Sequence, residues 1–146
     1  MKKLIWLIGL LAFLSCETES DKFIYSKFKI TDANGQSIIR VDDKGNVYKQ
    51  GNRVGNIEKK GVILDKKGRI VLKLSDNKTS FLDSEDKKVI EISSTGEFIN
   101  TTNDKIHWSD SGELMKGDEN TGIAISATEK ELLQIASVLL YIFYIV

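Results

Sequence analysis

One short phrase recurs along this chain and limits what it can fold into. A few apolar residues alternate with polar ones, turn-forming polar residues follow, then a Gly, and the phrase begins again. It reads SIIRVDDKG at residues 37–45 and KVIEISSTG at residues 88–96. Alternation at period two places successive side chains on opposite faces of a strand. The intervening Asn, Asp, Ser and Gly tolerate the backbone angles of tight turns. The 146 residues contain no proline, so these four residue types must carry the turns.

The phrase predicts a mainly β fold, an antiparallel β-meander of roughly ten short hairpin strands. Residues 23–30, FIYSKFKI, read as the first strand because they are aromatic and β-branched. Asn34-Gly35 then gives a strong hairpin signal. The cleanest alternation is RIVLKL at residues 69–74, which puts Ile70, Leu72 and Leu74 on one buried face. Shifting the chain by 51 residues lays residues 30–64 on 81–115 without a gap. Asp32 then meets Asp83, Ile39 meets Ile90, Gly45 meets Gly96, Asn52 meets Asn103 and Gly61 meets Gly112. An internal duplication and plain regularity of strand spacing both account for this register.

The N-terminus carries a different signal. Lys2 and Lys3 precede an apolar run, residues 4–14, of 11 residues. A bilayer span needs about 20 such residues, whereas a signal-peptide core needs about 7–15. The run ends at Phe13-Leu14-Ser15-Cys16, and Cys16 is the only cysteine. Here the chain resembles bacterial lipoproteins, whose signal ends in a lipobox. That resemblance implies removal of residues 1–15 and acylation of the Cys16 thiol, with palmitate among the acyl chains. It also implies lipid anchoring in the cell envelope. Residues 16–22 then form an acidic tether, CETESDK. The acids resemble the export tags that send some such proteins to the outer membrane or cell surface.

The rest of the chain divides into a β-meander at residues 23–126 and an apolar C-terminal helix at residues 127–146. Thr128 and Glu131 form a capping-box pattern ahead of LLQIASVLLYIFYIV. Those 15 residues fall short of a membrane span. Lys130, Gln134, Ser137, Tyr141 and Tyr144 make one polar stripe at helical spacing. The stripe favours a helix packed on the open face of the sheet, stripe to water, over a helix lying in a membrane.

Chemistry is thin elsewhere. Lys plus Arg number 21 against 21 Asp plus Glu, and loss of Lys2 and Lys3 leaves a net of −2. Such a balance gives no field to gather nucleic acid. His107 is the only histidine, with no second His or free Cys to complete a metal site or triad. Trp108 and Phe98 read as core. The acids of Asp32-Ala33-Asn34-Gly35 and Asp42-Asp43-Lys44-Gly45 echo the start of a calcium loop but lack the closing Glu. No catalytic, cofactor or metal residue is assigned, and Cys16 is the one candidate site. The expected function is a lipid-anchored, non-catalytic interaction module that meets a protein or glycan. The alternative is a structural envelope protein whose C-terminal helix touches the membrane or a membrane partner.

Overall fold

Nine turns among the described residues obey one local rule. In each, the amide of the fourth residue donates to the carbonyl of the first, as from Gly35 to Asp32 at 3.0 Å and from Gly68 to Asp65 at 3.0 Å. In all nine the fourth residue has positive φ, whether Gly or one of Lys78, Asp86 and Asn103. The first residue is usually Asp, Asn or Ser, because its side chain accepts from the amides two and four residues on. Asp65 Oδ1 takes Lys67 and Arg69 at 2.9 and 3.0 Å, and Asp83 Oδ1 takes Glu85 and Lys87 at 2.8 and 3.0 Å. This is the three-residue hairpin loop, a type I turn closed by a left-handed residue. It reverses the chain with few residues, so strands stay short and neighbours in sequence become neighbours in space.

The computed structural model describes residues 21–126 and 129–144. The strands are β1 (Phe28–Thr31), β2 (Ser37–Val41), β3 (Asn46–Lys49), β4 (Asn52–Glu58), β5 (Val62–Asp65) and β6 (Ile70–Leu74). The second half repeats the series with β7 (Ser80–Leu82), β8 (Lys88–Glu91), β9 (Phe98–Ile99), β10 (Lys105–Trp108), β11 (Glu113–Lys116) and β12 (Glu119–Ile125). One helix, α1 (Glu131–Phe143), follows. The strands form one antiparallel sheet in the order β8-β7-β6-β5-β4-β3-β2-β1-β12-β11-β10-β9. Pairing of β1 with β12 curls the meander into a nearly closed barrel. The remaining seam lies between β8 and β9, which share no ladder.

The 51-residue shift carries β1–β6 onto β7–β12 strand for strand. It also superposes individual bonds: Leu74 N to Gly61 O at 2.7 Å corresponds to Ile125 N to Gly112 O at 2.9 Å. The regularity is therefore structural, with six strands in each half.

Every strand turns one face to a single core that includes Ile30, Ile39, Val47, Ile57, Ile63, Phe81, Ile106 and Leu114. Helix α1 fills that core. Its residues 134 to 140 are all buried, seven in succession. At 100° per residue this covers every side of the helix, so the sheet wraps around it instead of lying beneath it. The expected water-facing stripe is thereby corrected. Gln134 and Ser137 are buried, while Lys130 and Tyr144 emerge at the two helix ends. The stripe faces the seam. Gln134 Nε2 donates to the carbonyls of Lys78 and Ile92 at 2.8 and 2.9 Å. Ser137 Oγ donates to Gly96 O at 2.5 Å and accepts from Trp108 Nε1 at 2.8 Å. Tyr141 stands edge-on to Phe98, ring centroids 6.3 Å apart. The stripe satisfies carbonyls in the β6–β7 turn, at the end of β8 and in the β8–β9 turn, which would otherwise be buried unpaired.

Three further expectations change. The helix begins at Glu131 with Lys130 at the N-cap and no side-chain cap bond, and Thr128 lies outside the described residues. Residues 23–27 are not strand. They cross one end of the barrel, with Phe23 buried against Phe81 and Tyr25 Oη donating to Ile57 O at 3.4 Å. Ile70 is 41% exposed, because the β5–β6 register slips between Ile63 and Leu64 and Val71 becomes the extra residue packed on the core. At the other barrel end Lys49 Nζ donates to Phe143 O at 2.7 Å, placing a cation at the helix C-terminus.

Gly96 is pinched between strand and helix. It has φ +85°, and a Cβ there would lie 2.6 Å from Leu133 O, 2.7 Å from Trp108 Cδ1 and 2.8 Å from Ser137 Oγ. Gly35, at φ +78°, has open space around it. Gly96→Ala is expected to cost about 3 kcal/mol and Gly35→Ala about 1–2 kcal/mol, read by urea unfolding. Equal losses would show that helix and turn are not in contact. Ser137→Ala strands the Trp108 N–H and the Gly96 carbonyl, with an expected loss of about 1–3 kcal/mol and a shift of tryptophan emission.

Candidate functional site

The acids that could have formed a site are occupied by turns. Asp42 Oδ1 accepts from Lys44 N and Asn46 N, both at 2.9 Å, and its Oδ2 accepts from Asn46 Nδ2 at 3.0 Å. Asp43 is exposed beside it. The two carboxylates do not converge. Among the described residues no three His, Cys, Asp or Glu side chains gather where a metal ion could be held.

Several turn carboxyls are held below the ordinary range. Asp65 is lowered chiefly by the Arg69 amide, and Asp83 by the amides of Lys87 and Glu85. At Asp42 partial burial pushes upward, and hydrogen bonds from Asn46, Lys44 and Tyr48 together outweigh it. Asp104 is lowered first by the Thr102 hydroxyl. These shifts follow from charge-assisted bonds in hairpin loops and need no catalytic explanation.

His107 lies half-buried on the outer face of β10, opposite Met115 of β11. Its Nδ1 is buried without a hydrogen-bond partner. No acid or second ligand approaches it to form a cluster among the described residues. Trp108 and Phe98 sit in the core as expected. Cys16 lies outside the described residues.

The seam is the surface feature that the sequence did not disclose. In the first half β2 pairs with β3, Arg40 to Tyr48 and Val41 to Val47. The equivalent strands of the second half are β8 and β9, and these are the open edges. Their shared turn is intact, with Ser93 N donating to Glu97 O at 2.9 Å. Beyond it the strands part. Ile92 stays bound on the β7 side, its amide donating to Thr79 O at 2.8 Å and its carbonyl accepting from Gln134. A shallow groove of about 750 Å³ lies between Lys88–Glu91 and residues 97–99. Val89 and Ile99 flank it at 43% and 53% exposed. Its counterpart in the first half, Ile38, packs on the core. Lys88 and Glu91 pair at 3.5 Å along the groove edge, and Glu97 pairs with Lys105 at 3.3 Å. The groove offers apolar contact, charge and strand edge, with no activated nucleophile.

Comparison with family models, with curated proteins and with solved structures finds no match to this chain.

The carboxyl shifts carry a sign. Folded pKa values below the unfolded ones stabilise the barrel above about pH 4, and that stability is lost as pH falls through the folded values. The urea midpoint is expected to drop below about pH 4 and to vary little between pH 6 and 8. In the Asp65→Asn/Asp83→Asn double variant, which keeps an acceptor oxygen at each turn, the acid loss should be shallower. An unchanged acid limb would show that these turns do not set it.

Proposed function

We propose that the protein is a lipoprotein of the bacterial cell envelope, anchored through lipid on Cys16, whose barrel is a non-catalytic interaction module. The carrying observation is the N-terminal pattern: two lysines, an 11-residue apolar run and Ser15-Cys16, followed at once by Glu17-Thr18-Glu19-Ser20-Asp21. A run of that length suits a signal core and not a span. The acid-rich tether fits export to the outer membrane or cell surface.

The barrel interior supports an interaction role over a ligand-carrying one. Small-molecule sites are concave and enclosed. Here α1 fills the space that a carrier barrel would keep for its ligand. What is left for recognition is the outside: hairpin rims and the groove at the seam. These suit a protein or glycan partner, and the neutral charge balance does not suit nucleic acid. The reading in which the C-terminal helix touches a membrane loses its support, since Leu132, Ile135, Val138, Leu139 and Leu140 are buried in the core.

The test is the anchor. Wild-type protein should incorporate labelled palmitate, gain the mass of its acyl chains and sediment with membranes. Cys16→Ser should do none of these. Continued membrane partition of the unlabelled variant would overturn the lipoprotein reading.

A further inference from the structure

We infer that the bilayer meets the barrel at the end crossed by residues 22–27, so that the opposite rim and the open mouth of the seam point away from the membrane. The inference rests on acylation at Cys16 and names the surface on which that anchor sets the protein.

Hairpins alternate between two ends. The near end holds the turns Asp42 to Gly45, Glu58 to Gly61, Ser75 to Lys78, Ser93 to Gly96 and Ser109 to Gly112, together with the start of α1. The far end holds the turns at Gly35, Gly51, Gly68, Asp86 and Asn103 and the end of α1. The chain is fixed to the near end from Lys22 onward. The amides of Lys22 and Phe23 both donate to Lys59 O, at 2.8 and 2.9 Å. Lys22 Nζ reaches Leu74 O at 3.2 Å and Asp76 at 3.0 Å, and Phe23 is 1% exposed.

Six residue steps separate Lys22 from Cys16. Six steps span about 13 Å on average for a flexible chain and about 21 Å at full stretch. Helix α1 alone, at 13 residues, is about 20 Å long, with turns beyond it at each end. The tether's ordinary reach is therefore shorter than the barrel, and the near end is held against the lipid. A second observation points the same way. Ile24, next to buried Phe23, is 68% exposed, more than any other large apolar residue among those described. It gives the near end an aliphatic contact suited to the bilayer surface. Charge does not set the orientation, because in the near-end turns Lys44, Lys59, Lys60 and Lys78 are offset by Asp42, Asp43, Glu58, Asp76 and Asp110. The seam is closed at the near end by the turn from Ser93 to Gly96 and widens toward Val89 and Ile99. The groove therefore opens outward.

The chain carries its own reporters, Lys59-Lys60 at the near end and Lys66-Lys67 at the far end. Purified mature protein, beginning at Cys16, is coupled through that residue, its only cysteine, to a maleimide phospholipid and incorporated in phosphatidylcholine vesicles. Acylation by a membrane-impermeant amine reagent is then mapped by mass spectrometry. Lys59-Lys60 should react several-fold more slowly than in detergent, while Lys66-Lys67 should react equally in both. Equal protection of the two pairs, no protection of either, or protection of the far pair overturns the inference. The chemical coupling separates this result from the anchor itself, since palmitate labelling in cells reports acylation of Cys16 alone.

Discussion

The contact on which the rest of the structure depends is that between α1 and the inner face of the sheet. Strands of two to seven residues cannot stand as isolated hairpins, and a curled sheet without contents would leave a cavity. The helix supplies apolar volume in every direction at once. That is why the residues at 135, 136, 138, 139 and 140 are aliphatic without regard to an amphipathic face. The two polar residues among them, Gln134 and Ser137, are placed where the sheet cannot satisfy its own backbone. Leaving those carbonyls bare would cost about 1–3 kcal/mol each, so the helix is a source of hydrogen-bond donors as well as of volume.

The same contact runs beside the one place where the sheet does not meet itself. The two six-strand halves repeat each other, and the geometry for a β8–β9 ladder exists in the β2–β3 pair. In the second half only the shared turn is bonded, Ser93 N donating to Glu97 O at 2.9 Å. An open edge invites pairing with other chains, and the edge is blunted in recognisable ways. Strand β9 has only two residues, β8 carries Lys88 and Glu91 at its ends, and the β7–β8 register slips beside Val89. The exposed pair Val89 and Ile99 therefore sits on a short, charged and irregular edge, which limits non-specific pairing while leaving apolar surface for a partner.

Local features were the legible ones. Asp32, Asp42, Asp65 and Asp83 announce their turns because the carboxylate and the left-handed fourth residue lie within one short segment. Period two located most strands for the same reason. The errors concern what an element faces. The stripe on α1 is correct as periodicity, but spacing alone cannot distinguish water from a row of unpaired carbonyls. Residues 23–27 have β-propensity, yet no sheet edge is free at the barrel end, so their aromatic side chains serve as a plug. Ile70 left the buried face through a bulge, a one-residue event that alternation does not register. The groove at the seam was invisible, since it depends on where a twelve-strand sheet fails to meet itself.

A barrel filled by its own helix narrows where recognition can occur. Nine of its hairpin loops are tight three-residue turns, most with the first side chain engaged with the backbone, so they have little freedom to remodel around a partner. Binding then has to use surfaces that already exist: the far rim of hairpins, the outer face of the strands, and the groove beside Val89 and Ile99. Of these, the groove alone combines free strand edge, exposed apolar side chains and flanking charge. A partner that lays an extended segment along it would gain main-chain hydrogen bonds unavailable elsewhere on the sheet.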